Sequence, residues 1–217
     1  MAAQASAMDA ERAIKCLVVG DAGIGKTSFV KRTVNEGFFE TYKTTVGVDF
    51  KIKRMQVNNE SVRLQLWDIM GQERFQELVR VYYQNTRGVF IIYDLTKQKK
   101  SLKGVLEWKK EIDTKVRLPD GSPVPTVLLG NKCDMLEDRS KAQAELDEFC
   151  QQNGFLGGFL TSAKNDTNVH EATAFLVSEI LNTQTFEEPA AVKNTIGGDG
   201  ETWSPFGASG SVNSGCC

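Results

Sequence analysis

The chain has little histidine and no long apolar run, and each shortage closes off a class of function. With only one histidine, His170, there is no His-rich metal cluster. That residue falls on an expected helix and reads as part of a solvated face, with no chemistry assigned. No stretch approaches the ~18 apolar residues of a membrane helix. Residues 1–8, MAAQASAM, carry neither a positive charge nor an apolar core, so they do not read as a signal peptide. Neither sign of charge dominates: 26 Lys and Arg face 28 Asp and Glu. A net charge of −2 offers no global basic field to nucleic acid or to an anionic membrane. The five cysteines, Cys16, Cys133, Cys150, Cys216 and Cys217, have the spacing of neither a disulfide framework nor a zinc site. A reducing compartment, most simply the cytosol, is expected. Cys16 and Cys150 read as small apolar packing residues.

What is present is an alternation. Apolar runs at Ile14–Val19, Val62–Trp67, Val89–Tyr93, Val124–Leu129 and Phe159–Leu160 are separated by helical patterns. The helices are expected to begin near Lys26, Phe75, Ser101, Ser140 and Thr167. Solid apolar strands alternating with helices predict a mostly parallel sheet covered on both faces. Asp49–Val57 and Ser61–Asp68, joined by Asn58-Asn59-Glu60, predict an antiparallel hairpin at the sheet edge. The expected architecture is α/β, with six strands, one of them antiparallel at the edge. After Leu181 the pattern stops. Residues 184–217 are rich in Gly, Ser, Pro, Thr and Asn, and they hold four acidic residues against Lys193. They read as an acidic disordered tether. The expected organisation is a flexible N-terminus (1–12), a folded domain (13–183) and a tail (184–217). Lys97-Gln98-Lys99-Lys100 reads as a solvated loop.

The strongest chemical signal is Gly20-Asp21-Ala22-Gly23-Ile24-Gly25-Lys26-Thr27, followed by Ser28. It fits G-x-x-x-x-G-K-[ST] where a strand meets a helix. Glycines let the backbone curl until successive N–H groups face one concavity, and the helix points its positive end at the same place. Lys26 adds a point charge for the β- and γ-phosphates. The Thr27 hydroxyl suits Mg²⁺. The motif does not choose the base. Asn131-Lys132-Cys133-Asp134 follows the strand at 124–129, and ligands of open α/β sheets bind at the carboxyl ends of strands. A carboxylate at Asp134 can accept from N1–H and the exocyclic amine of guanine, a donor pair adenine lacks. Thr161-Ser162-Ala163-Lys164 follows the next strand, and its backbone can close on the base oxygen. Taken singly, NKCD also fits a turn with a helix cap, and SAK a plain loop. Their order after the phosphate loop makes the set specific. It also argues against a P-loop kinase or ATPase.

Two segments look able to move. Trp67-Asp68-Ile69-Met70-Gly71-Gln72 ends a strand level with the phosphate loop. Asp68 suits a water-mediated Mg²⁺ ligand, Gly71 an N–H offered to a γ-phosphate, and Gln72 the orientation of an attacking water. Upstream, Thr44-Thr45-Val46-Gly47 offers the Thr45 hydroxyl to the same Mg²⁺. If Thr45 and Gly71 touch the γ-phosphate, their loops order only with GTP, which makes a switch.

The pieces GDAGIGKT, TTVG, WDIMGQ, NKCD and TSAK, in this order, resemble the five nucleotide motifs of Ras-superfamily GTPases over about residues 14–183. Within that superfamily VGVDF, WDIMGQERF, VYY and the terminal Cys216-Cys217 resemble Rab proteins. Ile69 and the segment Asp113–Pro125, expected as an extended loop, look like the Rab branch associated with lysosome-related organelles.

The resemblance implies a P-loop G-domain that binds GTP and GDP with Mg²⁺ and hydrolyses GTP. It implies Phe38 stacked on the guanine and Phe50, Trp67 and Tyr82 as an aromatic surface read by effectors. Strand alternation by itself leaves Trp67 free to face either core or solvent. It further implies geranylgeranyl groups on Cys216 and Cys217 and a likeness to monomeric GTPases. The implied partners are effectors, an exchange factor, an activating protein, and prenylation escort and dissociation-inhibitor proteins. The implied place is the cytoplasmic face of an intracellular membrane involved in vesicle trafficking. The tail offers no polybasic second signal, so both lipids are expected to be needed. Two positions depart from the family pattern. Ala22, where Gly or Ser is usual, is small and inconsequential. Met70, where Ala is usual, is large and sits under the γ-phosphate. The alternative it supports is a GTP-binding interaction platform with very low intrinsic hydrolysis.

Overall fold

Central strands of a covered sheet should be buried along their whole length, and two are. In the computed structural model, β4 (Gly88–Asp94) and β5 (Thr126–Asn131) are buried at every residue. The structure describes residues 11–37, 47–69 and 79–186. The chain divides into a unit Met1–Thr185 and a unit Phe186–Cys217, and every described strand and helix belongs to the first.

The other elements, in chain order, are β1 (Arg12–Val19), α1 (Lys26–Thr33), β2 (Val48–Val57), β3 (Glu60–Ile69) and α2 (Val79–Tyr83). After β4 come α3 (Gln98–Lys115), β5, α4 (Arg139–Gln152), β6 (Gly157–Thr161) and α5 (Val169–Thr183). The sheet runs β2-β3-β1-β4-β5-β6. All its pairings are parallel except β2 with β3, so the expected six-stranded sheet with one antiparallel edge strand is found. The order reverses at β1, and the crevice there opens at the carboxyl ends of β1, β3, β4 and β5.

Alternation on β4 shows how both faces are covered. Val89, Ile91 and Tyr93 join Val105, Trp108 and Ile112 of α3 in one apolar cluster. Phe90 points the other way and meets Phe29 of α1 with ring centroids 5.4 Å apart. Tilted aromatic pairs of this kind add about 0.5–1.5 kcal/mol beyond area burial.

Several boundaries differ from the sequence reading. The hairpin turn is the two residues Asn58 and Asn59, with φ of 52° and 63°, while Glu60 pairs with Val57. Asparagine tolerates this left-handed geometry, which matches the twist of the flanking strands. β5 begins at Thr126 and runs to Asn131, because Pro125 has no N–H for the ladder. β6 extends two residues earlier and one later than Phe159–Leu160. α3 begins at Gln98, so the expected solvated loop 97–100 instead ends a short 3₁₀ turn and opens a helix.

The expected loop 113–125 also shrinks. α3 continues to Lys115, carried by ion pairs of Lys109 with Asp113 and Glu111 with Lys115, four residues apart. Beyond it the segment folds back on itself through an Arg117–Pro123 bridge, turning at Gly121 with φ 83°. Cys16, Cys133 and Cys150 are buried, and burial pushes their thiol pKa values up, that of Cys150 to about 12. His170 is partly exposed and lies 3.6 Å from Asp166.

Candidate nucleotide site

The loop between β1 and α1 is shaped by backbone that only glycine takes up easily. Gly20 has φ 141°, and a Cβ there would lie 2.3 Å from the Ile92 carbonyl oxygen. Gly25, with φ 99°, forms the left-handed N-cap of α1, and a Cβ there would meet the Asn131 amide. The loop therefore lies tight against the ends of β4 and β5. Ala22 and Gly23 are exposed at its crest, Ile24 is buried beneath, and Ser28 follows in α1.

Lys26 is buried, and its ammonium donates to the carbonyls of Gly20 and Asp21 at 2.9 Å each. Burial lowers its pKa, against the opposing attraction of Asp68 and Asp21. Asp21 turns its carboxylate away, where it accepts from the Trp108 indole of α3 at 3.2 Å. The loop is thus braced from α3 as well.

Asp68 closes the phosphate end from β3. It is 1% exposed. One carboxylate oxygen accepts from the Thr27 hydroxyl, and the other, Oδ1, has no hydrogen-bond partner among the described residues. Burial raises its pKa, partly offset by Thr27 and Lys26. A buried carboxylate oxygen left without a donor, beside a hydroxyl, is the donor set a hard divalent cation takes. The residues present fit Mg²⁺.

The base end is built from β5 and the loop after β6. Asn131 donates to the Ile24 carbonyl at 2.9 Å, and its oxygen receives the Ala163 N–H at 3.4 Å. Lys132 adopts a left-handed backbone, φ 69°, and its ammonium reaches Asp94 at 2.7 Å and the Gly23 carbonyl at 3.4 Å. The carboxylate of Asp134 is oriented by the Ser162 hydroxyl at 2.6 Å, which in turn accepts from the Asn165 N–H at 3.1 Å. Lys164 is exposed beside it. The structure therefore brings Lys26, Thr27, Asp68, Asn131, Lys132, Asp134, Ser162 and Ala163 to one rim. Phe38, Thr45, Met70, Gly71, Gln72, Cys216 and Cys217 lie outside the described residues.

Away from this rim, Phe50 and Trp67 are cross-strand partners, with ring centroids 5.4 Å apart. Trp67 lies 6.2 Å from Tyr82. Phe50 is 44% exposed, and Trp67 and Tyr82 are half-buried, so the three form a surface cluster seated on the core. The Lys15 ammonium sits 4.1 Å from the Trp67 ring centre and donates to the Gln84 carbonyl. Lys15, Arg32 and Asp94 were not marked by any sequence motif. Asp94 alone had a usable signal, its place at the carboxyl end of a central strand.

A phosphate loop, a paired Thr and Asp, and an Asn-Lys-x-Asp rim on one mostly parallel sheet define a P-loop GTPase. Residues 15–182 match the Ras family model, and the chain belongs to the Ras family. Among its relatives, it is 48% identical to mouse Ras-related protein Rab-32 over 178 residues, covering 81% of this chain and 79% of that protein. It is 48% identical to Ras-related protein Rab-32A of Dictyostelium discoideum over 170 residues, 77% of each chain. It is 44% identical to human Ras-related protein Rab-7L1 over 172 residues, 79% of this chain and 84% of that one. These matches fall on the Rab branch that the sequence resembles. The chain is accordingly a small GTPase of the Rab type, acting in membrane trafficking.

Proposed function

We propose that this Rab-type GTPase is a nucleotide-driven switch whose folded part, residues 13–183, binds GTP or GDP with Mg²⁺ on the rim at the carboxyl ends of the strands. The convergence of Lys26, Thr27, Asp68, Asn131 and Asp134 there carries this reading. Backbone N–H groups of residues 21–28 hold the phosphates, and Lys26 places a desolvated positive charge against them. Thr27, Thr45 and, through water, Asp68 would hold the cation, which would supply charge neutralisation at the phosphates. Asn131 ties the base end to the phosphate loop. Asp134 accepts from the guanine edge, and Ala163 donates to its oxygen, with Ser162, Lys132, Lys164 and Phe38 enclosing the ring.

Hydrolysis then needs little covalent work from the protein. Gln72 orients the water, and an activating protein supplies the remaining positive charge in trans. Through Thr45 and Gly71 the chain senses the γ-phosphate, and effectors read the result over Phe50, Trp67 and Tyr82. Residues 184–217 form the tether, with Cys216 and Cys217 prenylated. An escort protein delivers the chain, and a dissociation inhibitor extracts it from an endosomal or lysosome-related membrane.

The test is base selectivity. The purified protein is expected to carry guanine nucleotide, and Asp134→Asn to exchange preference from guanine to xanthine nucleotides in a competition assay. Displacement of bound GDP by ATP would overturn the guanine assignment.

A further inference from the structure

The loop 162–165 is held from behind by a side chain outside every nucleotide motif. Arg32 lies in the last turn of α1. Its Nε donates to the Ala163 carbonyl at 2.8 Å, and its Nη2 donates to the Lys164 carbonyl at 2.9 Å. One planar guanidinium gripping two successive carbonyls fixes the two peptide planes that follow the Ala163 N–H. A lysine, being a single-point donor, cannot reproduce that grip.

The front of the loop is held less firmly at the position that matters for the base. Ser162 ties Asn165 and Asp134 at 3.1 and 2.6 Å. The Ala163 N–H, however, has only a 3.4 Å contact with the Asn131 oxygen. Such a donor is available to a better acceptor, and its direction depends on the peptides beside it. The helix that carries Arg32 opens with Lys26 and Thr27. Eight helical residues span about 12 Å, so the phosphate end and the base end of the rim are linked by one short rigid element.

We propose that Arg32 is the positioning residue of the guanine loop: it aims the Ala163 N–H at the six-position oxygen of the base and locks that loop to the phosphate-binding helix. The proposal rests on the guanine reading and extends it to a residue of α1.

The experiment measures affinity for two diphosphates by displacement of a fluorescent GDP, in wild type, Arg32→Gln and Arg32→Lys, alongside thermal unfolding. The first ligand is GDP. The second is the diphosphate of 2-aminopurine riboside, which keeps the amine but has neither the six-position oxygen nor the N1–H, so the change of ratio between wild type and variant, not the ratio itself, reports on Ala163. Arg32→Gln is expected to weaken GDP by up to about tenfold, the size of the one neutral hydrogen bond from the Ala163 N–H that it would misdirect. It is expected to weaken the aminopurine nucleotide much less, so the selectivity ratio falls by about the same factor. Arg32→Lys, which keeps the charge and the helix, is expected to show a reduced ratio too, and it decides the matter if the glutamine variant is poorly folded. Equal weakening of both ligands, or an unchanged ratio with only a lower melting temperature, overturns the proposal and leaves Arg32 a simple brace. A wild-type protein that does not prefer GDP over the aminopurine nucleotide overturns the guanine reading itself, and the proposal with it.

Discussion

Asp94 shows how single residues at the rim set each other's charge. Burial pushes its carboxyl pKa up, but hydrogen bonds from Lys132 and from the hydroxyl and N–H of Thr96 outweigh burial and leave it below the ordinary value. A folded-state value below the unfolded one means that the unfolded chain binds more protons in acid. The contribution is therefore fully present above the unfolded pKa and is lost as pH falls through the folded one. Asp94→Asn is expected to cost about 1–3 kcal/mol in urea unfolding near neutrality. The gap between variant and parent should close as the pH is taken below ~4. A gap independent of pH would remove the charge from the explanation. Met70 belongs to the same scale. Its bulk, where the family has alanine, is expected to slow intrinsic hydrolysis even against family rates of ~10⁻⁴ s⁻¹. Met70→Ala should then be the faster enzyme in single-turnover hydrolysis, and equal rates would end the idea.

At the element scale, one seam depends on a close approach. Gly88 opens β4 beneath α5, and a Cβ there would come within 2.7 Å of Ile180, 3.1 Å of Leu176 and 3.2 Å of Cys16. All three neighbours are fully buried, so they have little room to retreat. Gly88→Ala gains strand propensity but overpacks this seam. The expected net loss is about 1–3 kcal/mol, read as a lower urea midpoint with unchanged slope. A neutral result would show that α5 can slide on β4. The phosphate loop is braced in the same manner from α3, through Trp108 and Asp21, and from β5, through Asn131. The nucleotide-binding loop is thus fixed by elements that come later in the chain.

At the scale of the whole molecule, the proposed function joins a switch to an anchor. Residues 184–217 hold four acidic residues against one lysine, so electrostatic attraction to anionic lipid adds nothing to membrane binding. A single lipid chain gives only marginal, reversible binding. Cys217→Ser, with at most one lipid, is expected to move from the membrane pellet to the soluble fraction in cell fractionation. Unchanged pelleting would show that one lipid, or a protein partner, suffices.

Much of the fold was legible in the chain before any packing was known. Solid apolar runs at β1, β4 and β5 announced a covered parallel sheet, and the turn-prone Asn58-Asn59-Glu60 announced the antiparallel edge. The phosphate loop and NKCD pointed to the chemistry proposed for them, because glycine spacing and a carboxylate just beyond a strand end are local features. What sequence left open was everything that depends on orientation. Whether Trp67 faced core or solvent could not follow from alternation, and only packing of β3 against β1 and β2 set it half-buried beside Phe50 and Tyr82. No motif announces the contacts of Asp94 with Lys132, of Arg32 with the Ala163 carbonyl or of Asp21 with Trp108, since the partners lie 38, 131 and 87 positions apart in the chain. The sequence alone determined an α/β domain of the P-loop GTPase type, and it singled out Asp134 as the carboxylate proposed to select the base. The tertiary structure decided which side chains hold that machinery in place, because hydrogen-bond geometry at such separations exists only once the sheet has brought the strand ends together.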